Sequence, residues 1–201
     1  WGVVIPASTL ISSGDKVRWK AATDQNGKIN AFSVKAYDGE LASDNAIQVF
    51  VQVAALNDPP TLTTVDTMTG ATEDVFKELS YTDLAAASDV ADVDSLAVSF
   101  RIEAVSSGTL ETYADSSWTA AVAGKTFLSS GGTLRWKGDP NANGVLNAFT
   151  VKAFDGSLLS ATEVQVRVSV LAVNDAPTLS SISTITGATE DTFKEILYSD
   201  L

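Results

Sequence analysis

Val164, Val166, Val168 and Val170 alternate with Gln165, Arg167 and Ser169. That period of two is the mark of a strand with one apolar and one wet face. Ile47, Val49, Val51 and Val53 repeat the pattern, and Phe149, Val151 and Ala153 form another alternating set that stops at Asp155-Gly156. Leu134 and Trp136 follow Ser129-Ser130-Gly131-Gly132, which reads as a hairpin turn. Val98, Phe100 and Ile102 mark a further strand. Helical signals are weak: only the stretch from Glu73 to Leu84 could hold a turn or two, and its Thr, Tyr and Phe content does not favour more. Short strands at regular spacing predict an all-β fold, a seven-strand sandwich, with Trp19 and Trp136 buried inside it. Arg18 and Arg135, one position before each Trp, should face water and pair with an acid.

The patterns occur twice. At an offset of 117 residues, Trp1 falls on Trp118, Arg18-Trp19-Lys20 on Arg135-Trp136-Lys137, Asp38-Gly39 on Asp155-Gly156, and Glu73-Asp74 on Glu190-Asp191. The overlap of 84 positions contains 43 identities and needs no gap, which identifies a tandem repeat. Differences keep their character: Val17 becomes Leu134, and Tyr37 becomes Phe154. Asn57-Asp58-Pro59-Pro60 and Asn174-Asp175-Ala176-Pro177 end strands and forbid a continued ladder, so they are read as linkers. One whole repeat then covers 58–174. Residues 1–57 are the C-terminal half of a preceding repeat, and 175–201 the first part of the next. Such halves cannot close a sandwich alone, so their order should depend on pairing with each other or with neighbouring chains.

Composition narrows the function classes. Acidic residues number 25 against 13 basic ones, a net charge of −12, which argues against nucleic acid and anionic lipid surfaces and favours cations as small partners. Apolar runs are too short for membrane insertion. Cysteine is absent, which removes disulfides and thiolate metal sites together. Histidine is absent as well, so neither a Ser-His-Asp triad nor a histidine metal centre can form. The acids lie toward the expected domain ends, not in an aromatic-lined cleft, and the chain is not read as an enzyme.

The segments VNDAPTL, ATEDTF, DVDS and AFDG, with the V-x-V-x-V strand before the linker, together resemble the cadherin-like repeats of very large bacterial surface and biofilm adhesins. The resemblance covers the whole chain. It implies immunoglobulin-like β-sandwiches arranged end to end on the cell surface or outside the cell, partnered by neighbouring repeats, with calcium bound near the junctions. Asn57 and Asp58, and again Asn174 and Asp175, look like the linker ligands of cadherins. Glu73 and Glu190 look like the early glutamate, Asp92 and Asp94 like the Asp-x-Asp pair, and Asp38 and Asp155 like the late aspartate. The second acidic motif of cadherins is missing, which implies one or two ions per junction instead of three. Calcium chemistry agrees, because that ion takes six to eight hard oxygens in flexible geometry.

The expected function is therefore a calcium-stiffened spacer in a large adhesin. A glycan- or protein-binding module, which would need an exposed aromatic or apolar patch, is the alternative, as is self-association through repeat surfaces in cell–cell cohesion. Asp139-x-Asn141-x-Asn143-Gly144 imitates the start of an EF-hand loop, but Thr150 stands where the bidentate glutamate belongs, so the segment is read as a turn. Gly138-Asp139-Pro140 resembles the start of a self-cleaving adhesin site, with Asn141 in place of its histidine.

Overall fold

The computed structural model describes residues 8–94 and 97–201; Trp1 lies outside them. The fold is nearly all β. Two strands, β1 (Gly27–Val34) and β2 (Ile47–Val53), form an antiparallel hairpin. Nine more follow: β3 (Met68–Thr72), β4 (Lys77–Ser80), β5 (Ser99–Val105), β6 (Thr109–Ala114), β7 (Ser117–Ala120), β8 (Phe127–Leu128), β9 (Thr133–Lys137), β10 (Gly144–Phe154) and β11 (Val164–Leu171). These nine make a five-stranded sheet, ordered β3-β11-β10-β5-β8, and a four-stranded sheet, ordered β4-β9-β6-β7.

The two sheets share one core, the arrangement of a β-sandwich. Phe100, Ile102, Phe149, Val151, Val166 and Val168 come from the larger sheet, and Leu79, Leu110, Leu134 and Trp136 from the smaller. The alternation read in 164–170 is present in space: Val166, Val168 and Val170 are buried while Arg167 is exposed. Trp136 is 1 % exposed, and its indole N–H donates to the Ser107 carbonyl at 2.8 Å, so the one polar atom of the ring is satisfied inside the core. Gly108 sits at φ +66°, and a Cβ there would lie 2.1 Å from the Lys137 carbonyl oxygen. Only glycine fits where the β5–β6 connection presses on β9.

Three expectations change. The sandwich has nine strands instead of seven. One addition is β7, returned on β6 by a tight turn in which Asp115 and Ser116 both take positive φ (50° and 63°), the backbone twist that two-residue hairpins require. The Ser129–Gly132 turn is not a hairpin: β8 pairs with β5, whereas β9 pairs with β4 and β6, so the turn carries the chain from one sheet to the other. Trp19 is half-buried and lies outside any strand, because the strands that enclose its twin Trp136 have no counterpart beside it among the described residues.

The weak helical signal resolves into one short helix, α1 (Tyr81–Ala86), placed directly after β4. Ser80 caps it: its hydroxyl accepts from the Asp83 amide at 3.1 Å, and Asp83 reaches back to the Ser80 amide at 3.2 Å. This reciprocal cap offsets poor intrinsic propensity, and Leu84 anchors the helix in the core. The EF-hand-like segment is a turn, with Asn141 at φ 59° and the Ala142 amide donating to the Asp139 carbonyl at 3.0 Å.

Candidate functional site

Of the ten candidate ligands read in the sequence, eight separate into two groups at opposite ends of β10, while Asp38 and Glu190 lie in the partial repeats on either side. At eleven residues this strand spans about 35 Å. Asp155 follows its last residue, while Asn143, which contacts Glu73, precedes its first.

At the first end, Asn57, Asp58, Asp92, Asp94 and Asp155 come together although they are far apart in sequence. The Asn57 amide nitrogen donates to Asp155 Oδ2 at 2.8 Å, and the Asp58 backbone N–H donates to Asp94 Oδ2 at 2.8 Å. Both linker residues are thus fastened to the loops of the sandwich that follows them. Each loop is itself held in shape by its acid. Asp92 Oδ1 accepts the Asp94 amide at 2.8 Å, and Asp155 Oδ1 accepts the amides of Ser157 and Leu158 at 2.6 and 2.7 Å. The Leu158 amide, then the Asn57 side chain, hold the Asp155 carboxyl below the usual aspartate range, since each donor favours the charged form.

At the other end Glu73 is 5 % exposed, one of two buried polar residues described. Its carboxylate accepts the Val173 backbone N–H on one oxygen and the Asn143 amide nitrogen, at 3.0 Å, on the other. Burying a carboxylate is costly without donors, and these two tie the start of the outgoing linker to the turn before β10. Asp74 beside it takes the Asn141 amide at 3.3 Å. Asn174 and Asp175 are exposed, and Asn174 Nδ2 donates to the Asp175 carbonyl at 3.2 Å.

The donor set at the first end suits a hard divalent cation: aspartate carboxylates, an amide oxygen and backbone carbonyls. Its present geometry is that of hydrogen bonds. Asn57 turns its nitrogen toward Asp155, so an ion there would require the amide to present its oxygen instead. Among the described residues no three acidic side chains converge closely enough to hold a metal.

The sequence did not point to a third assembly, on the outer face of the smaller sheet. The Arg135 guanidinium lies between the rings of Phe76 and Trp118, 4.3 and 4.5 Å from their centroids, and pairs with Glu111 at 2.5 Å. Tyr113 packs against Trp118 at 5.1 Å. The expected acid partner of Arg135 is therefore present, and the stacking is additional. The register Glu111↔Arg135 between β6 and β9 creates it, and such cross-strand pairing is not visible in a linear sequence.

No family model matches the chain, and no curated protein matches it. Among the described residues no helix is long and apolar enough to cross a membrane.

Proposed function

We propose that the chain belongs to an extracellular spacer built of cadherin-like, immunoglobulin-type sandwiches joined end to end and stiffened by calcium, as in large bacterial surface adhesins. One observation carries the reading: Asn57 and Asp58, on the linker, are bonded to Asp155 and Asp94 on the loops of the next sandwich. A linker held in this way cannot swivel freely, and carboxylates gathered at one end repel one another until a cation joins them. Asn57, Asp58, Asp92, Asp94 and Asp155 would supply ligands for one or two ions at that junction, once the acidic side chains draw closer together than they stand in the hydrogen-bonded arrangement. Glu73, Asn174 and Asp175 would begin the next one.

Calcium would supply charge neutralisation and rigidity, not folding. At about 1 mM free ion and dissociation constants of about 0.1 to 1 mM, each site adds about 0.4 to 1.4 kcal/mol. A glycan- or protein-binding module, the alternative, would need an exposed aromatic or apolar patch; on the outer face of the smaller sheet Trp118 gives one face to Arg135 and packs its ring against Tyr113.

The test is thermal unfolding and small-angle scattering of the 201-residue chain in calcium and in chelator. The expected result is a melting point higher by a few degrees in calcium and a longer, stiffer particle. Asp94→Asn and Asp155→Asn should each remove most of the difference. Superimposable curves under both conditions would reject calcium stiffening.

A further inference from the structure

Asn143 combines a structural duty with a chemical weakness. Its side-chain amide donates to Glu73 Oε2 at 3.0 Å and to the Asn141 carbonyl at 3.2 Å, which makes it one of the two donors that hold the buried Glu73 carboxylate. It also stands directly before Gly144. Asparagine is a labile residue, and it is least durable before glycine, which puts no side chain in the way of its own backbone nitrogen as that atom closes on the asparagine side chain. Among Asn141, Asn143, Asn147 and Asn174, the asparagines of residues 58–174, only Asn143 precedes glycine.

The local structure leaves this closure open. Asn143 and Gly144 are both exposed, so water reaches them. Gly144 is the first residue of β10, at the end of the ladder, where strands open most readily. It sits at φ +88°, and a Cβ built on it would meet no atom within 4 Å, so the peptide has room to turn.

We propose that Asn143 is a site of spontaneous deamidation and that the change loosens the hold of the sandwich on its outgoing linker. The Gly144 backbone nitrogen attacks Asn143 Cγ. The new bond joins that nitrogen to Cγ, the Cγ–Nδ2 bond breaks, and Nδ2 leaves as ammonia with the proton of the Gly144 amide. Water then opens the succinimide at either carbonyl, giving aspartate or isoaspartate. In both products a carboxylate replaces the amide that donated to Glu73. Two carboxylates cannot share that contact while both are charged, and Asp74, which takes the Asn141 amide at 3.3 Å, adds a further negative charge nearby. Glu73 thus loses Asn143, and its grip on the Val173 N–H weakens with it. The hydrogen bonds of the intact amide restrain the side chain, so the reaction runs more slowly in the folded protein than in a free peptide. The loosening accumulates with the age of the molecule.

To test this, the 201-residue chain is incubated in chelator, so that calcium at Glu73 plays no part, beside a synthetic peptide of residues 138–152, the fragment trypsin releases between Lys137 and Lys152. Asn26-Gly27, the other pair of this kind, falls in a different fragment. Fragment-ion mass spectrometry is expected to show conversion of amide to acid at Asn143, later than in the peptide and ahead of Asn141 and Asn147. The aged chain, and Asn143→Asp prepared directly, should exchange the Val173 amide about tenfold faster than the fresh chain, as the loss of one hydrogen bond to a charged group predicts, while the near-ultraviolet signal of buried Trp136 is retained. Chains that keep Asn143 intact after the peptide has fully converted, or converted chains whose Val173 amide exchanges at the original rate, overturn the proposal.

Discussion

Near-identical sequence adopts different structure in two parts of this molecule. Arg135-Trp136-Lys137 is strand and its Trp is buried; Arg18-Trp19-Lys20 is irregular and its Trp is half-buried. Lys77-Glu78-Leu79 is strand, and Lys194-Glu195-Ile196 is not. Yet the pairing of β1 with β2 repeats that of β10 with β11 partner for partner, down to the register shift between Asn30 and Phe32 that mirrors Asn147 and Phe149. The difference is the distance to the partner. A hairpin carries its partner within its own turn, while β9 needs β4 and β6, and β3 needs β11 from the far end of the repeat. Propensity proposes a strand, and a neighbour with a hydrophobic face makes it one.

The comparison is broken most severely at its tryptophans. Trp136→Ala should cost about 3–5 kcal/mol, from lost burial and the cavity left behind, and Trp19→Ala less than about 1 kcal/mol; denaturant unfolding of both variants gives the ratio. Next comes the buried carboxylate. Glu73→Gln leaves an amide N–H facing the donors of Val173 or Asn143 and should cost about 1–3 kcal/mol, whereas Glu190→Gln, on an exposed twin, should leave the midpoint unmoved. Arg135→Ala removes a stack between two rings and a half-buried ion pair, for about 1–2 kcal/mol. Arg135→Lys should recover only part of this, because a compact ammonium cannot fill the slot between the rings.

The smallest effect is electrostatic. Asp38 and Asp155 both sit below the usual aspartate range, Asp38 through the amides of Leu41 and Glu40, and Asp155 through the Leu158 amide and additionally through Asn57. Asn57→Ala should raise the Asp155 midpoint in a carboxyl NMR titration and leave that of Asp38 unchanged. Asp89 is held to about 2 by the Thr63 hydroxyl and the amides of Thr64 and Thr63. A folded-state value below the unfolded one stabilises the fold above the unfolded pKa near 3.8, and this stabilisation is lost as pH falls toward 2. Asp89→Asn should therefore flatten the stability profile in that window.

How much was legible follows the same rule of distance. The alternation in 164–170 was readable because period two needs only the residue and its neighbours. The grouping of Asn57, Asp94 and Asp155 could be expected only through resemblance, since nothing local says that three loops meet. The second ligand of Glu73, Asn143, and the stack of Arg135 between Phe76 and Trp118 depend on strand register across a sheet. As a candidate contact, Asn143 stands out in the sequence only as part of a false EF-hand start. The Ser129–Gly132 turn was misread for a related reason: a tight turn looks the same whether the chain rejoins its own sheet or crosses to the opposite one.

The parallel pairing of β3 with β11 also decides how the sandwich answers to tension. Its first and last strands lie side by side and run the same way, so a pull applied at Asp58 and Asn174 slides them past each other. The rungs then resist together instead of opening one at a time like a zip. The ladder extends one step further where the Glu73 amide donates to the Leu171 carbonyl at 3.0 Å and the Glu73 carboxylate receives the Val173 amide. Under such a pull a single buried side chain would act as the last rivet of the clamp, at the end of the sandwich where the tension passes out of it.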